Sequence, residues 1–146
     1  VHHGNGTQHM FEDDSSLFYG SSHQYPAYPG TGAASETGLG NIFNFPLAPG
    51  TGSVEFREAY TEVIFPALRA FNPDLLIIST GFDAHALDPL CELNLSTEDF
   101  GWITRELLAI AEDCCGGRTV SSLEGGYHFK ALAESTALHV RELMGA

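Results

Sequence analysis

The chain has 146 residues, of which 43% are hydrophobic, and a formal net charge of −13 at pH 7. A chain of this length and composition can bury the core of one domain, which we expect to occupy residues 1–146. The negative charge repels nucleic-acid phosphates, and the sequence has neither an apolar run of membrane-spanning length nor a signal-peptide pattern. We therefore expect neither a nucleic-acid partner nor a membrane partner.

The predicted elements alternate between strands and helices along the chain. After a glycine-rich turn at residues 1–8, weak strand patterns occur at 16–20 and 41–45, and stronger, buried ones at 74–80 and 118–123. Helical patterns occupy residues 53–70 with a kink at Pro66, 96–115 with Ser96 and Asp99 as a capping box and Gly116 as the stop, and 129–144. This order is typical of βαβ units, so the sequence predicts an α/β fold with an open parallel sheet covered by helices on both faces.

The cysteines favour a reducing compartment. Cys91, Cys114 and Cys115 are odd in number and include an adjacent pair, which fits neither a disulfide framework nor a CxxC zinc pair. We expect reduced thiols in a cytoplasmic protein.

Two loops that follow strong strands hold residues that can do chemistry. Ligands of open α/β sheets bind beyond the carboxyl ends of the strands, where Asp83 and Tyr127 are expected. Taken singly, Asp83 can cap a turn, Tyr127 can pack over its glycines, and His2 and His3 can form a polar turn. Taken together, imidazole and carboxylate suit a catalytic zinc ion, and a phenol can stabilise an oxyanion, a combination that describes a metal-dependent amide hydrolase.

Four ordered motifs strengthen this interpretation: HHGNGTQ at 2–8, SSHQYPAYPGTG at 21–32, STGFDAHALDPL at 79–90 and LEGGY at 123–127. Their order and spacing resemble the histone deacetylase family over essentially the whole chain, in its class II and bacterial branch with the acetylpolyamine amidohydrolases. The resemblance implies the arginase/deacetylase fold and hydrolysis of acetyl-lysine or acetylated polyamines.

The resemblance also implies residue roles. His2 and Asp83 correspond to zinc ligands, and Tyr127 corresponds to the residue that polarises the substrate carbonyl. The matching positions of the substrate channel are Tyr28, Leu90, Gly125 and Gly126. A structural monovalent cation, K⁺, matches the His2 backbone, the Ser21 hydroxyl and the Ser22 backbone.

The chain departs from the family pattern at its start. The family motif Asp-x-Asp-x-His-His-Gly places a further zinc ligand immediately before Val1, and the His-His dyad that supplies the general base lies earlier still. We therefore expect a C-terminal portion of a deacetylase domain, without its N-terminal strands, which binds zinc weakly or not at all and is inactive by itself. An exposed sheet edge, and an apolar face left uncovered where the missing strands and helices would pack, are expected to favour self-association or the binding of a partner fragment.

Two alternatives remain open at this stage. A binuclear arginase-type hydrolase would use further ligands such as His85, and Asp88 before Pro89 resembles the same loop, although Gly4 stands where that pattern has an aspartate. A non-catalytic deacetylase remnant would act as an interaction domain. His3 is expected to be buried rather than catalytic, since adjacent side chains of an extended segment point to opposite faces.

Overall fold

The computed structural model describes residues 1–145 and has the α/β architecture that the sequence predicts. In chain order the elements are α1 (Asn5–Phe11), β1 (Tyr19–Gln24), β2 (Ile42–Leu47), α2 (Ser53–Ala59), α3 (Phe65–Phe71), β3 (Leu76–Thr80), α4 (Thr97–Cys115), β4 (Thr119–Leu123) and α5 (Phe129–Leu143). A π-helical turn, Tyr60–Ile64, joins α2 to α3.

The four strands form two parallel pairs. Strand β1 pairs with β2, Tyr19 opposite Ile42, and β3 pairs with β4, Leu76 opposite Thr119. The parallel pairing confirms the prediction for the two strong strands. Within residues 1–145 the two pairs are separate sheets, not one continuous sheet.

Strand β1 lies three residues later than the predicted strand at 16–20. The polar sequence of residues 21–24 is typical of a loop, yet His23 and Gln24 are buried. His23 hydrogen-bonds the Gly32 carbonyl, and Gln24 and Glu92 exchange two hydrogen bonds. These partners replace water, which allows polar side chains to occupy a buried strand.

The predicted helix at 53–70 is a continuous helical run with a local change of winding. Pro66 has no N–H to donate to the preceding turn, and its ring crowds the carbonyl four residues earlier. The π-helical turn lies directly before this position and accommodates the proline. At the position of the expected kink, the helix therefore contains a π-helical turn, which is wider than an α-helical one.

The caps of α4 match the prediction. Ser96 and Asp99 form the capping box, and Gly116 ends the helix in the left-handed conformation, with φ of 60°. Helix α4 packs along α5 and over β3, and its buried side chains, among them Ile110 and Ala111, belong to the main apolar core.

The glycine-rich start was wrongly predicted to be only a turn. Helix α1 begins at Asn5, directly after Gly4, whose backbone N–H donates to the Tyr19 hydroxyl. A β-carbon on Gly4 would lie 2.9 Å from that hydroxyl oxygen, so glycine permits this close approach.

One face of the β3–β4 pair is not covered. Ile77 and Val120 are paired across the two strands and are 64% and 54% exposed. The two-sided cover expected for the complete sheet is therefore absent at this pair, and the uncovered apolar face expected for a portion of the domain is present. The other face packs against α4 and α5. In the described part of the chain, no helix combines the length and the apolar character needed to cross a membrane.

Candidate metal centre

Asp83 lies in a pocket formed by glycines just beyond the carboxyl end of β3. The residue is 2% exposed, and the Val1 nitrogen donates a hydrogen bond to Asp83 Oδ1 at 2.6 Å. A β-carbon at Gly81 would lie 2.8 Å from Oδ1, and one at Gly125 would lie 2.4 Å from Oδ2. Both glycines are therefore needed to make room for the carboxylate.

His2 faces the same carboxylate. Its Nδ1 lies 3.6 Å from Asp83 Oδ2, and its side chain is 43% exposed. The ring packs edge-on against Tyr28, with centroids 6.1 Å apart. The structure thus brings together the two predicted zinc ligands and one predicted residue of the channel.

The donor set fits a zinc ion. Zinc bound to an imidazole nitrogen and a carboxylate oxygen at the usual distances and tetrahedral angle separates them by about 3.3 Å. The observed 3.6 Å is close to that separation, and the two donor types are ones that zinc prefers. Within residues 1–145 no group of three or more His, Cys, Asp or Glu side chains converges, so the described residues supply two ligands.

Cys91 lies beside this pair without adding a ligand. Its thiol donates to the backbone carbonyl of Asp83, and burial raises the pKa of the thiol to about 11. Metal binding requires a thiolate, so Cys91 is a hydrogen-bond donor here.

Tyr127 follows two glycines at the start of α5 and is half-exposed. Its loop is attached to the β3 end, because Phe82 donates its N–H to the Gly125 carbonyl at 2.8 Å. Gly126 has φ of 142°, a conformation that other residues rarely adopt. A β-carbon on Gly125 would lie between Asp83 and the Tyr127 ring, which places the phenol on the same side of the loop as the carboxylate.

Tyr28 and Leu90, the predicted channel residues, lie on an open surface. Both side chains are exposed, and Leu90 is held through its backbone N–H, which donates to Asp88 Oδ1 at 2.9 Å. Tyr28 contacts the metal centre through His2, as described above. The predicted channel glycines, Gly125 and Gly126, directly precede Tyr127 in the chain, and Gly125 lies against the Asp83 carboxylate.

Two of the three predicted cation ligands, Ser21 and Ser22, lie on β1. His23 Nε2 donates to the Gly32 carbonyl, so its Nδ1 accepts the proton of the Ser21 hydroxyl at 3.0 Å. Burial lowers the pKa of His23 to about 4, which keeps this ring neutral. Ser21 Oγ therefore keeps its lone pairs for a cation or a second donor, whereas the Ser22 hydroxyl bonds to Tyr60.

His3 has the buried structural role that the sequence predicts. Gln8 donates its amide group to Glu36, so its carbonyl oxygen faces His3 and accepts from Nε2 at 2.8 Å. His3 Nδ1 then accepts from the Thr31 hydroxyl at 2.8 Å. Both ring nitrogens are occupied, and His3 points away from the metal centre.

The extra ligands of a binuclear site are also engaged elsewhere. His85 accepts the Leu87 N–H at Nδ1, and its Nε2 contacts the Thr97 hydroxyl. Both carboxylate oxygens of Asp88 accept backbone N–H groups, from Leu90 and Tyr127. This geometry favours one metal ion over two.

In the sequence Asp88 is a candidate only for the binuclear alternative, and sequence reasoning missed its bonds to two loops. Its spacing to Leu90 is that of an Asx turn, which is a sequence signal. Its bond to Tyr127, 39 positions away, leaves no signal in a single sequence.

Comparison with known proteins identifies the family. A profile of the histone deacetylase domain matches residues 1–143. The chain belongs to the histone deacetylase family. Histone deacetylase 14, chloroplastic, of Arabidopsis thaliana is 41% identical over 99% of this chain, and a probable deacetylase of Archaeoglobus fulgidus is 39% identical over 96%.

Solved structures of the family agree with the fold. The crystal structure of the HDA15 HD domain superposes on 99% of this chain with a TM-score of 0.92 and 38% sequence identity. The structure of the histone deacetylase Clr3 also covers 99% of this chain, with a TM-score of 0.91 and 35% identity. The arginase/deacetylase fold is thereby confirmed. This chain spans 35% and 40% of the length of the two curated relatives and 42% and 25% of the two solved chains.

Proposed function

We propose that the protein carrying this chain is a zinc-dependent hydrolase that removes acetyl groups from acetylated amines, acetyl-lysine in particular. Membership of the family supports deacetylase activity in general. The observation that carries the zinc assignment is the convergence of His2 Nδ1 and Asp83 Oδ2, 3.6 Å apart, beside the Tyr127 loop.

In this mechanism each described residue has one task. His2 and Asp83 hold the metal, and Gly81 and Gly125 leave the space that the carboxylate needs. Zinc, when bound, supplies Lewis acidity that polarises a carbonyl and makes water a stronger acid. Tyr127 donates its phenolic proton in a hydrogen bond to the carbonyl oxygen as negative charge develops there. Water adds to the carbonyl carbon, its protons pass to the leaving nitrogen as the amide C–N bond breaks, and acetate and the protonated amine leave.

The substrate is held by apolar contact along its chain. Tyr28 and Leu90 present exposed apolar surface, which suits the methylene chain of an acylated lysine. The charge of −13 attracts the cationic remainder of either a basic peptide or a polyamine. An acetylpolyamine is therefore the second substrate class, in keeping with the proposed class II and bacterial branch.

We further propose that the 146-residue chain alone binds zinc weakly and has no appreciable activity. Two ligands lack the three-ligand geometry of a catalytic zinc site. A monovalent cation, K⁺, is proposed at the His2 carbonyl, the Ser21 hydroxyl and the Ser22 carbonyl. The free Cys91, Cys114 and Cys115 support a cytoplasmic location, which cell fractionation tests.

Release of acetate from an acetyl-lysine peptide tests the proposed function. A longer protein that carries this chain and is loaded with zinc should release acetate, and removal of zinc by a chelator should stop the reaction reversibly. An acetylpolyamine assayed in parallel distinguishes the two substrate classes. Activity that survives complete removal of the metal would overturn the zinc assignment, and the absence of any deacetylation would overturn the function.

A non-catalytic interaction domain is the second candidate function. It is favoured by the exposed apolar pair Ile77 and Val120. Binding of a partner that persists unchanged in a Tyr127→Phe variant, without any deacetylation by the parent protein, would favour this candidate.

A further inference from the structure

Asp88 connects the two loops that carry Leu90 and Tyr127. The residue is buried, and each of its carboxylate oxygens has a different partner. Oδ1 accepts the Leu90 N–H at 2.9 Å, and Oδ2 accepts the Tyr127 N–H at 2.9 Å. One side chain thus sets the distance between two backbone segments 37 residues apart in sequence (Leu90 and Tyr127).

The Asp88 side chain is itself held in place. The Asp88 N–H donates to the His85 carbonyl at 2.8 Å, and Pro89 fixes the next backbone torsion. Movement of the carboxylate is therefore tied to movement of the loop that follows β3. That loop also contains Asp83.

The Tyr127 backbone is fixed on its other side as well. His128 is the N-cap of α5, and its Nδ1 accepts the Ala131 N–H. With the Asp88 bond before it and the helix cap after it, the α-carbon of Tyr127 has little freedom. The direction of its half-exposed phenol then depends on the Asp88 bond.

Only a carboxylate supplies both acceptors in this geometry. An asparagine at this position has one acceptor oxygen, and its NH₂ group would face the second N–H as donor against donor. Bonds to an ionised acceptor are also shorter and stronger than neutral ones. The Asp88→Asn change therefore keeps the size of the side chain and removes one connection.

We propose that Asp88 is a positioning residue, which places the Tyr127 phenol and the Leu90 side chain at a fixed separation beside the metal centre. It acts through Tyr127 and Leu90 and does not touch the reacting atoms. This inference rests on the proposed deacetylase function for its kinetic consequence, but its geometric part stands without it.

A double-mutant cycle in a longer, zinc-loaded protein that carries this chain tests the kinetic part. Asp88→Asn should lower kcat about tenfold or more, because small displacements of a catalytic group have effects of this size, and should leave the zinc content unchanged. In a Tyr127→Phe background the same change should lower kcat less than about threefold, since the group that Asp88 positions is gone. Independent effects that multiply in the double mutant, or loss of zinc in Asp88→Asn, would overturn the proposal.

Asp14→Asn is the matched control. Asp14 also accepts a backbone N–H two residues on, from Ser16 at 2.9 Å, but it is exposed and connects to no second loop. Its substitution should leave kcat and KM unchanged. A loss in Asp14→Asn equal to that in Asp88→Asn would count against the proposal.

Hydrogen exchange of the Tyr127 amide tests the geometric part without any activity. The amide should exchange faster in Asp88→Asn or in Asp88→Ala than in the parent protein. Unchanged protection in both variants would overturn the proposal. If the amide responds as expected while the parent shows no deacetylation, the proposed function fails and the loop connection stands.

Discussion

Gly125 lies so close to Asp83 that the proposed metal centre has room for the carboxylate only because residue 125 has no side chain. A β-carbon there would lie 2.4 Å from Asp83 Oδ2, the oxygen that faces His2. Each glycine before Tyr127 is needed for a different reason. Gly125 makes room for the Asp83 carboxylate, and Gly126 adopts a φ of 142°, which other residues rarely adopt.

Gly125→Ala should lower zinc affinity because the new methyl group displaces the Asp83 carboxylate. We expect a loss of about 10- to 100-fold, comparable to other changes beside a metal ligand. A chelator competition assay measures it, with Gly6→Ala as the control, since a β-carbon on Gly6 meets nothing within 4 Å. Equal affinities of the two variants would contradict the geometry described for Asp83.

Tyr127→Phe should lower kcat about 100- to 1000-fold, since it removes one oxyanion donor. The zinc content should not change, because no ligand is lost. Kinetics and metal analysis of the same preparation give both values. Loss of zinc in this variant would contradict the role assigned to Tyr127.

At the scale of single residues, the motifs in the sequence predict which side chains form the proposed site but not how they are held. His2, Asp83 and Tyr127 stand in short motifs with recognisable neighbours. Asp88 acts through backbone N–H groups, which every non-proline residue has, so no side-chain pattern marks its partners.

His139 connects four secondary structure elements through hydroxyl groups. Thr104 of α4 donates its proton to the Phe100 carbonyl, so it accepts the Nδ1–H of His139 at 2.8 Å. His139 Nε2 then accepts from Ser121 of β4 at 2.9 Å, and Ser121 bonds Thr80 of β3 at 2.7 Å. The network binds α5 to the sheet with a neutral imidazole.

Stability should fall with acid through His139. Burial lowers the pKa of His139 below its ordinary value of 6.5, so the unfolded chain binds more protons as the pH falls below 6.5. The contribution is complete above pH 6.5 and is lost as the pH falls towards the lower folded-state pKa. Urea unfolding at several pH values measures this effect. As the pH falls, the free energy of unfolding should decrease less in His139→Gln than in the parent.

His9→Gln is the control for this measurement, since the His9 side chain is 84% exposed. It should keep the pH dependence of the parent. A slope in His139→Gln that equals that of His9→Gln would show that His139 does not carry the effect.

At the scale of elements, the sequence predicts the ends of the capped helix α4 more accurately than the ends of the weak strand β1. The capping box of Ser96 and Asp99 and the glycine stop at Gly116 are local, and the structure confirms them. Asp99 is also more than a cap: burial raises its pKa, but bonds from Ser53, Ser96 and Arg57 together hold the pKa below its ordinary value. The late start of β1 and the helix at Asn5 depend on distant partners, Glu92 and Tyr19, which a local pattern does not contain.

At the scale of the whole molecule, the uncovered face of β3 and β4 is the main departure from a closed domain. Ile77 and Val120 are neighbours on this face. A separate open groove of about 560 Å³ is lined by α5 and by Leu123 of β4. Exposed apolar surface of this kind favours association. The relatives are two to three times longer than this chain, so their additional residues provide further surface for packing.

Self-association of the 146-residue chain should therefore decrease when this face is made polar. Val120→Thr keeps the shape of the side chain and should shift sedimentation towards the monomer at equal concentration. Val54→Thr, an exposed valine on α2, is the control and should sediment like the parent. Unchanged association in Val120→Thr would exclude this face.

The zinc affinity of a longer protein that carries this chain tests the central claim, that His2 and Asp83 bind the same metal ion. In competition with a chelator, His2→Ala and Asp83→Ala should each lower the zinc affinity more than about 100-fold. This loss exceeds the roughly 10- to 100-fold loss typical of changing a residue that only supports a metal ligand. His85→Ala, in the same loop but turned away, should keep the parent affinity. Parent affinity in either ligand variant would contradict the account.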